Sequence, residues 1–405
     1  MGVDIKMDVI VQKYGGSSVA TPEKILKVAD TLIKKKNEGK DVVVVVSAMG
    51  DTTDDLIKLS SAVSSNPNKR EMDVLLSTGE MVSASLLSMA LINKGYDAVS
   101  YTAYQIQIKT SGGHGKSLIE DIDVTRVKES LEEGKIVVVA GFQGINEECD
   151  ITTLGRGGSD TSAVALAVKL NGKCEIYTDV DGIYSCDPRK YKDAKKLDVI
   201  DYEEMLELAS LGAQVMNSRS VELAEKYGIE VYVGLSCSDI KGTVIRGIKN
   251  MNLESKPVTG IATSDDDVAI TIKNLHSDIN ILCELFEKIG EKKINIDMIS
   301  QTTPINGMVN VSFTVPKGEF KDAMLIVKDY VSEKSITIDE NITKFSLVGI
   351  GMKSTSGVAA KLFRIFNDAE IDVKMITTSE IRITCAIKQE DKVKALHMAA
   401  KEFNL

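Results

Sequence analysis

Arg156 and Asp160 lie in the stretch Thr152–Ser162 (TTLGRGGSDTS), among Gly155, Gly157 and Gly158, and the chain then runs into the apolar segment Ala163–Leu170. A glycine-rich turn that opens a helix bares several backbone N–H groups at the positive end of the helix dipole, a ready anion site. Arg156 adds a planar fork for a carboxylate or phosphate, and Asp160 in the first turn can take an ammonium. Together they suit an amino acid. A tight turn capped by Ser159 or Asp160 accounts for the same residues without any ligand, so the other loops must decide.

Lys13 precedes Gly15-Gly16, a second phosphate-sized cradle between a strand and a helix. Transfer of a phosphoryl group from ATP to a carboxylate needs no general base, because the acceptor is already ionised at neutral pH. It needs positive charge, N–H donors and rigid placement. Lys13 meets that need, although a lysine at a strand end is commonly just a solvated charge. Glu80, in Ser77-Thr78-Gly79-Glu80, is either a first-turn acid or a carboxylate awaiting a substrate ammonium. The run Thr178–Arg189 offers a hydroxyl, an aromatic face and an arginine for ribose, adenine and phosphate. Its Asp-Gly and Asp-Pro steps equally describe a solvent-facing turn.

Composition narrows the field. A net charge of −10 leaves no basic surplus for a general nucleic-acid binder. The three histidines lie at no metal-ligand spacing, and the six scattered cysteines read as reduced structural thiols, so no protein-held metal is expected. No signal is recognisable at the N-terminus, and no segment approaches the ~20 apolar residues that span a bilayer. The expectation is a cytoplasmic protein with no membrane partner.

The loops must be held by regular elements. Asp8–Lys13, Val42–Val46, Ile136–Ala140, Cys174–Tyr177 and Ile229–Val233 read as buried strands. Helical patterns alternate with them: Pro22–Lys36, Met72–Ile92, Val124–Glu133, Thr161–Leu170, Tyr202–Leu211 and Ser218–Tyr227. The alternation predicts a doubly wound, mainly parallel α/β sheet over residues 1–250, with ligands beyond the carboxyl ends of its strands. Past Pro257 an internal repeat appears. Ile270-Thr-Ile272, Phe286 and Ile294–Ser300 return at a constant spacing as Leu347-Val-Gly349, Phe363 and Ile371–Thr377. Two small α+β modules follow, at 265–335 and 342–405, sized to pair with each other or across a dimer.

In order along nearly the whole chain, Lys13–Val19 (KYGGSSV), Ser47–Asp54, Ser77–Glu80, Thr152–Asp160 and Thr178–Arg189 resemble the aspartokinases, amino-acid kinases with C-terminal, ferredoxin-like ACT domains. The resemblance implies phosphorylation of L-aspartate by ATP, its Mg2+ carried by the nucleotide, to 4-phospho-L-aspartate on the route to lysine, threonine, methionine and diaminopimelate. By matching position, Lys13 and Asp160 would be catalytic. Ser47, Thr53, Glu80, Arg156, Gly158 and Ser159 would hold aspartate. Lys13, Gly15, Gly16, Thr178, Asp179, Tyr184 and Arg189 would hold the nucleotide. Gln214 replaces a lysine that many relatives carry. The repeats imply feedback by lysine, with threonine as a further effector, in a homodimer or homotetramer. Leu275, Asp278, Ile281, Leu282, Asn295, Ile296, Asp297 and Gln301 match the effector region, with Asp297 facing the effector's ε-ammonium. A glutamate or acetylglutamate kinase, or an amino-acid sensor with a degenerate kinase domain, are the other readings.

Overall fold

The computed structural model describes residues 7–212, 215–248, 256–277 and 279–405, so Gln214 and Asp278 lie outside the described residues. The chain divides into two compact units. The first runs to Ile183, resumes at Lys196 and includes the helix Ser218–Tyr227. The second combines Tyr184–Lys195 with the C-terminal repeats.

The first unit is built on an eight-stranded sheet. Its order is Val199–Ile200, Thr243–Ile245, Val231–Leu235, Lys173–Thr178, Val9–Tyr14, Asp41–Val46, Ile136–Ala140 and Ala98–Tyr101. Every neighbouring pair is parallel except Val231–Leu235 with Thr243–Ile245. The valines of Asp41–Val46 are fully buried, as a β-branched run between two helical layers must be. A smaller four-stranded sheet, absent from the periodicity reading, joins Ile108–Ser111, Leu118–Ile122, Gln143–Ile145 and Ile151–Thr153.

One expectation is corrected here. The helix Lys69–Asn93 is long and apolar enough, by length and composition, to cross a membrane. Asp73, Ser77, Thr78, Gly79, Glu80, Ser83, Ser85 and Ser88 hid this by interrupting the apolar run. About half of its apolar window is buried within the fold, and Asp73, Ser77, Glu80, Ser83 and Ser88 lie on the buried side. Polar groups turned inward and Met81, Val82 and Met89 exposed are the pattern of a helix that serves an interior site.

In the second unit each repeat forms its own four-stranded antiparallel sheet. The first orders Asp297–Gln301, Met308–Pro316, Asp267–His276 and Ile336–Asp339. The second orders Val373–Thr378, Arg382–Lys388, Ile342–Val348 and Gly260–Ser264. The strand preceding the first repeat therefore completes the sheet of the second. Amphipathic helices cover each sheet: Ile279–Glu291 and Phe320–Tyr330 in the first, Val358–Asp368 and Lys392–Glu402 in the second.

Candidate active site

The parallel register brings the loops together. Tyr14 pairs with Val46 on one side and Tyr177 on the other, so the chain leaves three adjacent strands at one edge, through Gly15, Ser47 and Thr178. Gly15 N–H donates to Tyr177 O (3.2 Å), Ser47 N–H to Tyr14 O (3.1 Å), and Gly50 N–H to Gly16 O (3.1 Å), which fixes the loops on one another.

Lys13 reaches Asp160 across this edge, Nζ to Oδ1 at 2.6 Å, with both side chains nearly buried. Asp160 sits in the first turn of the helix Gly158–Leu170, whose residues from Gly158 to Ala167 are all buried. The helix begins at Gly157 in left-handed geometry (φ 71°), and a Cβ there would lie 2.5 Å from Asn217. Only glycine satisfies both demands. Arg156 is exposed at the tip of this loop, while Gly158 and Ser159 are buried beneath it.

Glu80 comes from the helix Lys69–Asn93. Gly79 lets that helix approach, since a Cβ there would meet Ala48 Cβ at 2.8 Å. The Ala48 N–H then donates to Glu80 Oε1 at 3.1 Å. Oε2 is buried with no hydrogen-bond partner among the described residues. Burial pushes the carboxyl up to about 7, with the Ala48 amide pulling the other way. A carboxylate left half-satisfied in the interior is costly unless a cation arrives. Thr53 lies half-buried in the first turn of the helix Thr52–Val63, beside the Ser47–Gly50 loop.

Next to the glycine loop is a cavity of about 320 Å³. It is lined by Ser17 and Ser18, by Lys24 and Lys27 of the first helix, by Thr178 and Asp179, and by Leu235–Cys237. Ser18 Oγ is buried there without a partner among the described residues. Hydroxyls and two ammonium groups suit a polyphosphate. Among the described residues, no group of three His, Cys, Asp or Glu side chains stands at metal-binding geometry.

Tyr184 and Arg189 belong to the other unit, where Arg189 pairs with Asp187 (Nε to Oδ1, 3.0 Å). Leu275 and Leu282 are core residues of the first repeat, with Ile281 and Ile296 packed against that core. Asn295 is exposed and its N–H donates to Glu319 at 3.3 Å; Gln301 is exposed. Asp297 accepts from Lys344 Nζ at 3.0 Å.

Sequence reasoning missed the residues that clamp the signature loop. Asp73, buried, accepts from Thr153 Oγ1 (2.5 Å) and Gly115 N (3.0 Å) and pairs with His114 Nδ1 (2.8 Å). From the opposite side, Arg219 donates to Leu154 O (2.6 Å) and Ser117 O (2.9 Å), and Asn217 donates to Arg156 O (2.8 Å). Burial depresses the Arg219 pKa. The one sequence signal was an acid on the apolar helix; Asn217 and Arg219 carried none.

The fold agrees with that of known proteins. Models of the amino acid kinase family and of the ACT domain match residues 8–234 and 345–403. Aspartokinase 2 of Bacillus subtilis (strain 168) is 46% identical over 403 residues, 98% of either chain. The crystal structure of E. coli aspartokinase III in complex with aspartate and ADP (R-state) superposes with a TM-score of 0.85 at 23% identity, covering 98% of this chain and 100% of that one. The structure of the same enzyme in complex with lysine and aspartate (T-state) gives 0.76 at 22%, covering 98% and 99%. The chain belongs to the amino acid kinase family and, within it, to the aspartokinases, ATP-dependent kinases whose acceptor is a carboxyl group.

Proposed function

We propose that the protein transfers the γ-phosphoryl group of MgATP to the side-chain carboxylate of L-aspartate, giving 4-phospho-L-aspartate and ADP for lysine, threonine, methionine and diaminopimelate synthesis. The observation that carries this reading is Lys13, held by Asp160 at the carboxyl end of a central strand beside the glycine loop. A fixed cation there stabilises charge developing on the transferring phosphoryl without reorganising. An oxygen of the aspartate side chain bonds to the γ-phosphorus as the bridging P–O bond breaks, and ADP leaves with that electron pair. No proton moves, so no base is needed.

Arg156 would clamp the α-carboxylate and Glu80 would receive the α-ammonium, with Ser47, Thr53, Gly158 and Ser159 shaping the pocket. Gly15, Gly16, Thr178 and Asp179 would hold the nucleotide, the adjoining cavity supporting the polyphosphate, and Tyr184 and Arg189 would act by resemblance alone. Mg2+, carried by the nucleotide, would neutralise phosphate charge.

The proposed organisation is a catalytic domain over 1–250 and ACT domains over 265–335 and 342–405, in a cytoplasmic homodimer or homotetramer. Lysine, alone or with threonine, would act at Leu275, Asp278, Ile281, Leu282, Asn295, Ile296, Asp297 and Gln301. The aspartokinase III complexes with lysine and with ADP support both ligand classes.

The test is ADP release from MgATP with L-aspartate, using L-glutamate as control acceptor, hydroxylamine to trap acyl phosphate, and added L-lysine. Aspartate-dependent hydroxamate that falls with lysine is expected. Turnover with glutamate instead, or none in a folded protein, overturns the substrate assignment.

A further inference from the structure

The cysteines fall into two groups. Cys174, Cys186 and Cys385 are buried, and burial pushes their thiols up, which leaves them as packing groups. Cys149, Cys237 and Cys283 are exposed. Cys149 follows Glu147-Glu148, and Cys283 Sγ donates to Glu287 at 3.4 Å, so both meet solvent beside acids.

Cys237 stands in different company. It lines the cavity of about 320 Å³ that Lys24 and Lys27 also line. Ser236 N–H donates to Thr178 O at 2.9 Å, and Ser236 Oγ lies 3.5 Å from Cys237 Sγ, which seats the thiol at the end of the strand Val231–Leu235. Lys24 Nζ donates to Ser17 O at 2.8 Å, so that ammonium is pinned at the glycine loop. Ser18, only 8% exposed, lines the same space, and its buried Oγ has no hydrogen-bond partner among the described residues. An unmet buried hydroxyl beside two ammonium groups marks a place for an anion. The acids nearby are already engaged: Asp179 Oδ1 accepts from Thr178 Oγ1 at 3.0 Å, and Asp239 pairs with Lys34 at 3.4 Å.

We infer that Cys237 is a modification site: an anionic small-molecule disulfide, drawn in by Lys24 and Lys27, exchanges with its thiol and leaves one half bound covalently in the cavity. The thiol proton goes to solvent, and the Cys237 sulfur bonds to one sulfur of the disulfide. The old S–S bond breaks, and the other half leaves as a thiolate with that electron pair. The cysteine is oxidised and the leaving half reduced, so no further oxidant enters. An adduct there takes the space of the nucleotide phosphates, and turnover stops until a reductant removes it. This last consequence rests on the nucleotide reading of the cavity; the exchange does not.

The test compares the dianionic disulfide dithiobis(nitrobenzoate) with the neutral disulfide dithiodipyridine on the full chain, the labelled thiols being assigned by peptide mass spectrometry. Cys237 should react with the dianionic probe roughly tenfold or more faster than Cys149 or Cys283. Lys24→Met/Lys27→Met should slow that reaction by about fivefold to tenfold and change the neutral probe's rate by less than about twofold. Neutral-probe rates at Cys149 and Cys283, with Cys174 unreactive, report that the variant is folded. MgADP should protect Cys237, and dithiothreitol should restore ADP release to the labelled enzyme. In Cys237→Ser the probe should leave ADP release at that variant's own untreated rate. If Cys237 shows no preference for the dianionic probe, or keeps its preference in the folded lysine variant, the inference fails. If the preference falls with the lysines but MgADP gives no protection, the modification site stands and the nucleotide reading of this cavity falls.

Discussion

Glu80 and Asp297 are acidic residues drawn out of water, and the protein treats them oppositely. Glu80 receives one backbone amide, keeps its second oxygen bare, and is pushed up to about 7 by burial. Asp297 is also penalised by burial, yet Lys344 beside it holds its carboxyl below the ordinary range. The kinase unit leaves a charge unmet at a site where a ligand can meet it; the repeats meet theirs internally. An unpaired interior carboxylate is a better pointer to a ligand than a paired one, which already has a structural explanation.

The comparison can be tested from the strongest effect to the weakest. Lys13→Ala should lower kcat by roughly 10²–10³-fold, since a preorganised charge at the reacting centre is lost; steady-state ADP release measures it. Glu80→Gln should raise KM for aspartate by about ten- to a hundredfold with a smaller change in KM for ATP, the loss of one charge-assisted contact. The same variant checks the burial cost. The folded value of about 7 lies above the ordinary 4.5, so the favourable contribution is complete below pH 4.5 and is lost as pH rises to 7. Without substrate, Glu80→Gln should therefore raise the Tm at pH 8 by about 2–5 °C and leave it unchanged at pH 4.5.

Asp297 has the opposite sign. Its folded value lies below the ordinary 3.8, so its stabilisation holds above that pH and is lost as pH falls through the folded value. Asp297→Asn should weaken the second unit at pH 6 and converge with the parent only in acid, as pH falls below the folded value, as followed by urea unfolding. The smallest effect is expected for Arg219→Lys, which keeps charge but loses the fork that bridges Leu154 O and Ser117 O. KM for aspartate should rise about threefold to tenfold, a misplacement of Arg156 rather than a loss of chemistry.

The main sheet was legible because β-branched runs buried on both faces have few other solutions: Val42–Val46 could hardly be anything else. The glycine loops were legible because glycine is required where backbones approach closely. The short strands Gln143–Ile145 and Ile151–Thr153 were not, since three residues carry no periodicity and their pairing is set by partners far along the chain. The clamp of Asp73 and Arg219 was invisible for the same reason: its hydrogen bonds span 80 and 65 residues of sequence. Asp297 was singled out in the sequence as a candidate effector residue, but its ion-pair partner Lys344 could be found only once the two sheets were seen together.

The strand Gly260–Ser264 has a consequence for how the chain is made. Because it pairs with Ile342–Val348, the first repeat is a loop-like insertion within the second, entering after Ser264 and leaving before Ile342. Thr343 bonded to Asp265 shows that entry and exit lie side by side. During synthesis the first repeat can close its sheet while the second waits for residues at the far terminus. Modular editing should follow the same asymmetry: excising the first repeat and rejoining its adjacent ends leaves the other sheet whole, whereas truncating the chain after Asp339 strands Gly260–Ser264 as an unpaired edge.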